Sequence, residues 1–150
     1  FGCPVDWIYV STTRCNGQAD IQFNAASNFS NWLFRYNSFA GGLGQYVDGA
    51  SYSNVRVVGN AGSGPSRCYA GWTFGYNAWD TGGCSATDRN LGALPFLSSA
   101  AGQEDFGLES GSAAVNLVTG SSSDYLLDTD IAGTARPRGA ARDAGAIEAG

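Results

Sequence analysis

The fold is decided by the stretch Trp32-Leu33-Phe34-Arg35-Tyr36-Asn37-Ser38-Phe39, whose spacing returns twice later in the chain. Its pattern is bulky, any, bulky, any, any, Asn, any, bulky. The second copy is Val55-Arg56-Val57-Val58-Gly59-Asn60-Ala61-Gly62, in which the last bulky position is a glycine, and the third is Trp72-Thr73-Phe74-Gly75-Tyr76-Asn77-Ala78-Trp79. The copies begin 23 and 17 residues apart. Repetition at a period of about 20 to 50 residues is typical of solenoids and other repeat architectures.

Each copy predicts one short strand, because alternate side chains of a strand point to opposite faces. If each copy belongs to one coil of a stack, equivalent residues lie about 4.8 Å apart along the stack. The expected interior columns are Trp32, Val55, Trp72 and Phe34, Val57, Phe74, with Asn37, Asn60, Asn77 at the turn. Asparagine tolerates left-handed backbone angles, and stacked asparagines can hydrogen-bond between coils. The 17-residue interval is short for a coil and implies either a compressed turn or a different register.

The rest of the chain agrees with an all-β fold. Two further strands are expected at 5–10 and 21–24, where β-branched and aromatic residues are concentrated. No window of a dozen residues combines helical periodicity with freedom from glycine, so we expect no long helix. Short strands with frequent glycine-rich and serine-rich turns predict the all-β class.

The repeated pattern with an asparagine at each turn resembles the coils of right-handed parallel β-helix proteins, over roughly residues 20–85. The end of the chain is similar to the C-terminal closing segment of secreted bacterial members of that family. The similar segments are Asp105-Phe106-Gly107-Leu108-Glu109-Ser110-Gly111-Ser112-Ala113-Ala114, Asp128-Thr129-Asp130-Ile131-Ala132-Gly133-Thr134-Ala135-Arg136-Pro137 and Arg142-Asp143-Ala144-Gly145-Ala146-Ile147-Glu148. Departures from the family pattern are Ala113 for proline, an additional Ala132, and Ala144 and Ile147 for isoleucine and tyrosine.

This resemblance implies an organisation and a location. Residues 1–99 would be β-helix coils, the C-terminal part of a longer solenoid, and residues 100–150 would close the stack. A solenoid needs covered ends, since a bare coil exposes unpaired backbone groups. We therefore expect the N-terminal end to be open, and to meet upstream coils or to self-associate. The family implies a protein that is secreted or displayed at a bacterial cell surface.

Composition excludes several kinds of chemistry. All eight basic residues are arginines and histidine is absent, which removes Ser-His-Asp and Cys-His catalysis, HExxH zinc sites, P-loops and Schiff-base lysines. The net charge of −5 disfavours nucleic-acid partners and anionic membranes, which are bound through clustered Lys and Arg. No stretch approaches the ~18 apolar residues of a membrane-spanning helix, so we expect no membrane insertion.

Four cysteines, Cys3, Cys15, Cys68 and Cys84, form two pairs that are close in sequence. Three disulfide connectivities are possible. We favour Cys3–Cys15 and Cys68–Cys84, because each bond would close a loop beside a predicted strand. Zinc is the alternative, but neither pair has the short Cys-x₂₋₄-Cys spacing of a structural zinc site. Disulfides imply an oxidising compartment.

The acidic residues predict structure more readily than catalysis. β-Helix polygalacturonases carry adjacent Asp-Asp and Gly-His-Gly motifs, and neither occurs here. A site like that of a pectate lyase would need a basic residue near Ca²⁺, for which Arg35, Arg56, Asp48 and Asp80 are the candidates. In the tail, close acids and arginines predict a structural clasp of ion pairs; they are Asp124, Asp128, Asp130, Arg136, Arg138, Arg142, Asp143 and Glu148. We expect no cofactor, with Ca²⁺ at Asp128-Thr129-Asp130 as the alternative.

The aromatic residues divide into core and candidate ligand-binding groups. Those in the bulky columns are expected in the core: Trp32, Phe34, Phe39, Trp72, Phe74 and Trp79. Tyr36 and Tyr76 occupy equivalent positions beside the turn asparagine, and with Arg35 and Arg56 they would form a shallow sugar-binding strip. Tyr46, Tyr52 and Tyr69 would extend the strip.

Two functions are compatible with this pattern. The first is a non-catalytic secreted or surface module that binds an extracellular polysaccharide or has a structural or assembly role. The alternative is a polysaccharide lyase or glycoside hydrolase. The fold alone cannot choose between them, because one fold supports many functions.

Overall fold

The computed structural model describes residues 8–10, 21–23, 29–41, 43–45, 52–65, 67–100 and 102–149. Several predictions lie outside these residues: the Cys3–Cys15 bond, Tyr46, Asp48, and parts of the strands expected at 5–10 and 21–24. All structural statements below concern the described residues.

Fourteen short strands make up the described secondary structure, together with a single turn of 3₁₀ helix at Ser123–Tyr125. The strands are β1 (Ile8–Val10), β2 (Ile21–Phe23), β3 (Phe29–Ser30), β4 (Leu33–Arg35), β5 (Ser38–Phe39), β6 (Leu43–Gln45), β7 (Tyr52–Ser53), β8 (Val55–Val58), β9 (Ala61–Gly62), β10 (Trp72–Gly75), β11 (Ala78–Trp79), β12 (Arg89–Asn90), β13 (Phe96–Ser98) and β14 (Asp105–Leu108). No α-helix occurs in this part of the chain, and the predicted all-β class is confirmed. Within the same residues, no helix has the length and apolar character needed to cross a membrane.

Parallel pairing joins strands from successive passes of the chain. The parallel sets are β2–β6, β3–β7, β4–β8–β10 and β5–β9–β11–β12. Two of the described strand pairs are antiparallel: β1 beside β2, and the hairpin β13–β14 that begins the last third of the chain.

The registers confirm the columns expected from the repeat, except for Trp32, which precedes β4 and lies outside the strand register. Phe34 pairs with Val57, which pairs with Phe74, and Val55 pairs with Trp72. The 17-residue interval keeps this register, so the compressed turn is the correct explanation. The shortening falls between β9 and β10, where no described strand corresponds to β6 or β7.

The interior of the stack is an aromatic and valine core. Its buried members are Phe39, Val55, Val57, Tyr69, Trp72, Phe74 and Trp79, with Trp32 and Phe34 partly buried against them. Rings from adjacent passes stack: Phe34 lies 6.4 Å from Trp72, and Phe39 lies 6.4 Å from Trp79. The six aromatics predicted to form the core therefore do so, with Trp32 and Phe34 at its edge.

A row of asparagines crosses the stack at the turn, as the sequence predicted. Asn37 donates its side-chain amide to Asn60, and Asn60 donates its own to Asn77, both at 2.9 Å. Asn60 and Asn77 are fully buried. Their polar atoms are satisfied by one another and by backbone groups, which is what makes burial of an amide tolerable.

The left-handed residue of this turn is not the asparagine, contrary to expectation. Positive φ angles fall on the preceding residue, at 52° for Tyr36, 63° for Gly59 and 54° for Tyr76. A second left-handed position lies just before each copy, at Asn31, Asn54 and Gly71. The strands β4, β8 and β10 each lie between two corners of this kind.

The tail, which we define as residues 102–149, packs beside the stack. Ala61 and Ala78 pair in β9 and β11 and are fully buried against tail residues that include Val118 and Ala144. The tail approaches the strands closely because the residues in contact are small. A Cβ added at Gly145 of the tail would lie only 3.1 Å from the Cβ of Ala61. The tail therefore forms a second apolar core along the side of the sheets.

One disulfide lies in the described region and joins Cys68 to Cys84, with their Cα atoms 5.4 Å apart. The favoured pairing of these two cysteines is confirmed. The bond connects the shortened pass before β10 to the turn before β12. It therefore ties together the two irregular segments at this end of the stack.

Candidate functional site

The outer strip consists of the four predicted ligand-binding residues, Arg35, Tyr36, Arg56 and Tyr76. The structure brings them together on the outside of three successive passes. However, a turn of the tail at 123–126 lies over them, and each one contacts this turn. The strip is therefore a surface on which the tail packs, and the turn at 123–126 covers it.

The two arginines of the strip are held by the tail. Arg35 donates from Nη1 to the carbonyl oxygens of Ser123 at 3.3 Å and Leu126 at 3.1 Å. Arg56 donates to the carboxylate of Asp124 and forms a half-buried ion pair with it. The cationic groups that a lyase-like site would use are thus bonded to this chain's own carbonyls and carboxylate.

Tyr36 is buried, although we expected it to be open to a ligand. It is 5% exposed, and its hydroxyl donates to the Tyr125 carbonyl oxygen at 2.7 Å. The guanidinium of Arg136 lies 4.6 Å from the centre of its ring, within the range of a cation–π contact. Burial raises the pKa of Tyr36 to about 12, despite the nearby arginines that favour the phenolate. The physical reason for the difference from expectation is the tail, which covers an outward position.

Tyr76 is the member of the strip that lines a cleft. Its ring meets Tyr125 edge-on at 5.1 Å, and its backbone N–H donates to Thr87 Oγ1 at 3.0 Å. The cleft has a volume of about 460 Å³ and lies between the corner after β10 and the tail. Its other lining residues include Arg89, Val115, Asn116 and Thr119.

The predicted clasp of arginines and acids is present, but its bonds run mainly to the backbone. Arg136 is buried and contacts Glu148 at 3.1 Å, and it also donates to the carbonyl oxygens of Asp143 at 3.0 Å and Gly145 at 2.7 Å. Only Nη1 of Arg136 contacts the Glu148 carboxylate, and it also donates to Asp143, while Nη2 donates to Gly145 and the buried Nε has no partner among the described residues. Burial raises the pKa of Glu148, although the backbone N–H groups of Arg138 and Asp143 stabilise its carboxylate.

The remaining members of the predicted clasp have different partners. Asp124 pairs with Arg56, and Arg142 donates from Nε to the Leu127 carbonyl oxygen at 3.1 Å. Asp143 accepts the backbone N–H groups of Asn116 and Ala149, each at 2.6 Å. The clasp therefore extends well beyond its ion pair.

The candidate calcium ligands are engaged in turns. Asp130 accepts from the backbone N–H groups of Ala132, Thr134 and Glu148. Burial opposes its ionisation, but these three donors hold the pKa of Asp130 below its usual range. Asp80 likewise accepts from Gly64 N at 2.9 Å. Among the described residues, no three Asp, Glu, His or Cys side chains are grouped to hold a metal ion.

Sequence reasoning missed two important residues. Asp88 is buried and accepts both the backbone N–H and the side-chain amide of Asn77, at 2.9 and 3.0 Å. It thus takes the place of a fourth asparagine, 11 residues after the third, in a segment that lacks the rest of the pattern. Tyr125 joins the tail to Tyr36 and Tyr76, and no local sequence signal distinguishes it.

Comparisons of the chain with models of protein families, with curated proteins and with solved structures give no match.

Proposed function

We propose that this chain is a non-catalytic structural module, built from coils of a right-handed parallel β-helix and secreted or displayed at a cell surface. The in-register columns and the asparagine row support the β-helix assignment, because a solenoid buries its core by stacking equivalent positions. The Cys68–Cys84 bond supports an oxidising compartment.

One observation carries the structural role: the tail contacts each of three successive passes. In the first pass, Ser38 Oγ accepts the backbone N–H of Ala146 at 3.0 Å. In the second, the Gly59 carbonyl accepts the N–H of Gly145 at 2.8 Å. In the third, the lack of a side chain at Gly75 admits Tyr125, since a Cβ there would lie 2.8 Å from its hydroxyl. The tail thus acts as a brace along the stack.

The brace favours this role over the lyase or hydrolase alternative. A lyase of this architecture would need a free base, and both Arg35 and Arg56 are bonded to the tail. Polysaccharide binding along the whole outer strip would require the turn at 123–126 to leave it. The structural role requires no such movement.

The test is to cut the brace from the coils. A protease recognition sequence inserted between Ser99 and Ala100, both exposed, allows the folded chain to be cleaved there. We expect the two fragments to stay together on gel filtration and to unfold in a single thermal transition. Fragments that separate, or that melt independently, would remove the basis of the proposal.

A second assay addresses catalysis. The intact chain is incubated with a panel of neutral and uronic polysaccharides, and reducing ends and unsaturated products are measured. We expect no turnover. Turnover that disappears in Arg35→Gln or Arg56→Gln would establish the enzymatic alternative instead.

A further inference from the structure

We propose that the cleft beside Tyr76 binds an acidic sugar through its carboxylate. This site is distinct from the structural role, which rests on other contacts. The cleft volume of about 460 Å³ falls within the range of roughly 300 to 1,000 Å³ that is usual for small-molecule sites.

Arg89 supplies the charge that selects an anion. Its side chain is exposed, and it has no ion pair within the described residues. Its guanidinium makes one long hydrogen bond, 3.4 Å from Nη1 to the neighbouring Asp88 carbonyl oxygen. Arg56 and Arg136, by contrast, are each paired with a carboxylate. An unpaired guanidinium presents donors whose geometry matches a carboxylate.

Three other polar side chains of the cleft, those of Asn116, Tyr76 and Thr119, can also donate hydrogen bonds. Asn116 Oδ1 accepts the backbone N–H of Ala141 at 2.9 Å, which fixes the amide orientation, and its Nδ2 has no partner in the described part of the chain. The hydroxyls of Tyr76 and Thr119 likewise make no hydrogen bond to described residues. Among the residues that the structure describes, no acidic side chain lines the cleft. A lining of donors without carboxylates is complementary to an anionic ligand rich in oxygen.

The nearest carboxylate does not cancel this preference. Asp88 precedes Arg89, but it is buried and turned toward Asn77 and the Cys84 backbone, where both of its oxygens are occupied. Its charge is therefore compensated by the N–H groups that donate to it, which belong to Asn77 and Cys84.

The walls of the cleft favour a ring. Tyr76 is fixed by its edge-on contact with Tyr125, and apolar side chains such as Val115 and Leu117 lie along the tail side. Aromatic and apolar surfaces bury the C–H faces of a sugar while polar groups bind its hydroxyls. A pyranose with a carboxylate satisfies the whole lining, whereas a neutral sugar leaves Arg89 without a partner.

The test uses the intact chain and two sugars that differ only at C6, D-glucuronate and D-glucose. Amide and arginine Nε–H NMR signals are followed during titration. We expect saturable shifts of Arg89 and Asn116 with glucuronate at a Kd of order 1 mM, equivalent to about −4 kcal/mol. Glucose should bind at least about tenfold more weakly. Equal affinity for the two sugars, or no saturation up to about 100 times that Kd, would overturn the proposal.

Two variants with a matched control locate the site. Arg89→Gln and Thr119→Val change exposed side chains of the cleft, and the spectra report whether each variant remains folded. We expect Arg89→Gln to weaken glucuronate binding by about tenfold and Thr119→Val by a smaller factor. Arg138→Gln makes the same charge change at an exposed tail position outside the lining. If Arg138→Gln weakened glucuronate binding by the same factor, the binding would depend on the net charge of the protein and not on the cleft, and the proposed site would be wrong.

Discussion

Asn60 holds Asn37 by two hydrogen bonds to one oxygen: its Oδ1 accepts both the backbone N–H and the side-chain amide of Asn37, each at 2.9 Å. Asn77 repeats this arrangement on Asn60, and Asp88 repeats it on Asn77. The Asp88 carboxylate has no N–H group to donate to a further residue, and its second oxygen accepts the Cys84 N–H at 2.9 Å. The row therefore has a direction and ends where an acid replaces the amide.

Replacing Asn60 with alanine should lower the free energy of unfolding by about 3 kcal/mol or more, because it leaves several buried backbone and amide groups without partners. Asn60 also donates to the carbonyl oxygens of Phe34 and Val58. The measurement is equilibrium urea denaturation. Asn54→Gly is the control, since Asn54 donates at 2.7 Å to Asn31 in an exposed pair and glycine keeps its φ of 52°. We expect a loss below about 1 kcal/mol there. Similar losses at both sites would refute the special role of the buried row.

Arg136→Lys should destabilise the tail by about 3 kcal/mol, because an ammonium cannot serve the Glu148, Asp143 and Gly145 acceptors from one planar group. The measurement is thermal unfolding, with limited proteolysis to locate the loosened segment. Arg138→Lys provides the matched change at an exposed position. Equal melting of both variants would show that the clasp does not depend on guanidinium geometry.

Alkaline pH should unfold the chain partly through Tyr36. Its folded pKa is raised to about 12 from 10.0, so the stability it contributes is complete below pH 10 and is lost as the pH rises through 12. A difference of this size corresponds to at most about 3 kcal/mol. We expect Tyr36→Phe, which cannot ionise there, to show a shallower loss of stability between these pH values. An identical pH dependence in the two proteins would rule out Tyr36 as the cause.

Removal of the Cys68–Cys84 bond should lower stability by about 3 kcal/mol, the amount expected for a closed loop of about 15 residues. The double variant Cys68→Ser with Cys84→Ser tests this without a reductant, in urea denaturation. A chelator added to the native chain tests the alternative that these cysteines bind zinc. We expect the chelator to leave the melting temperature unchanged. An unchanged midpoint in the double variant would mean that the shortened pass is held by packing alone.

The sequence determined the stack well, because its signals are local and repeated. The spacing of Trp72 and Phe74 was enough to place them beside Val55 and Val57, and the buried row followed from the recurring asparagine. The left-handed corners were assigned one residue too late. The asparagines or glycine just before each copy, Asn31, Asn54 and Gly71, were the signal that was overlooked.

The covering of the outer strip could not be predicted in the same way. Arg56 and its partner Asp124 are 68 residues apart, and Tyr36 and Tyr125 are 89 apart. The sequence repeat does not relate residues that are so far apart in the chain. In addition, the local sequence around an outward-facing residue is the same whether solvent or the tail covers that residue. The clasp was partly foreseen because Arg136 and Glu148 are close in sequence. Its dependence on backbone carbonyls was not.

Native-state hydrogen exchange tests the bracing role of the tail most directly. It compares the amide of Gly145, bonded to the Gly59 carbonyl at 2.8 Å, with the amide of Asn60, which lies in the buried row. A brace that folds with the coils predicts the same opening free energy for both amides, equal to that of global unfolding. Exchange of Gly145 through an opening that leaves Asn60 protected would contradict this account.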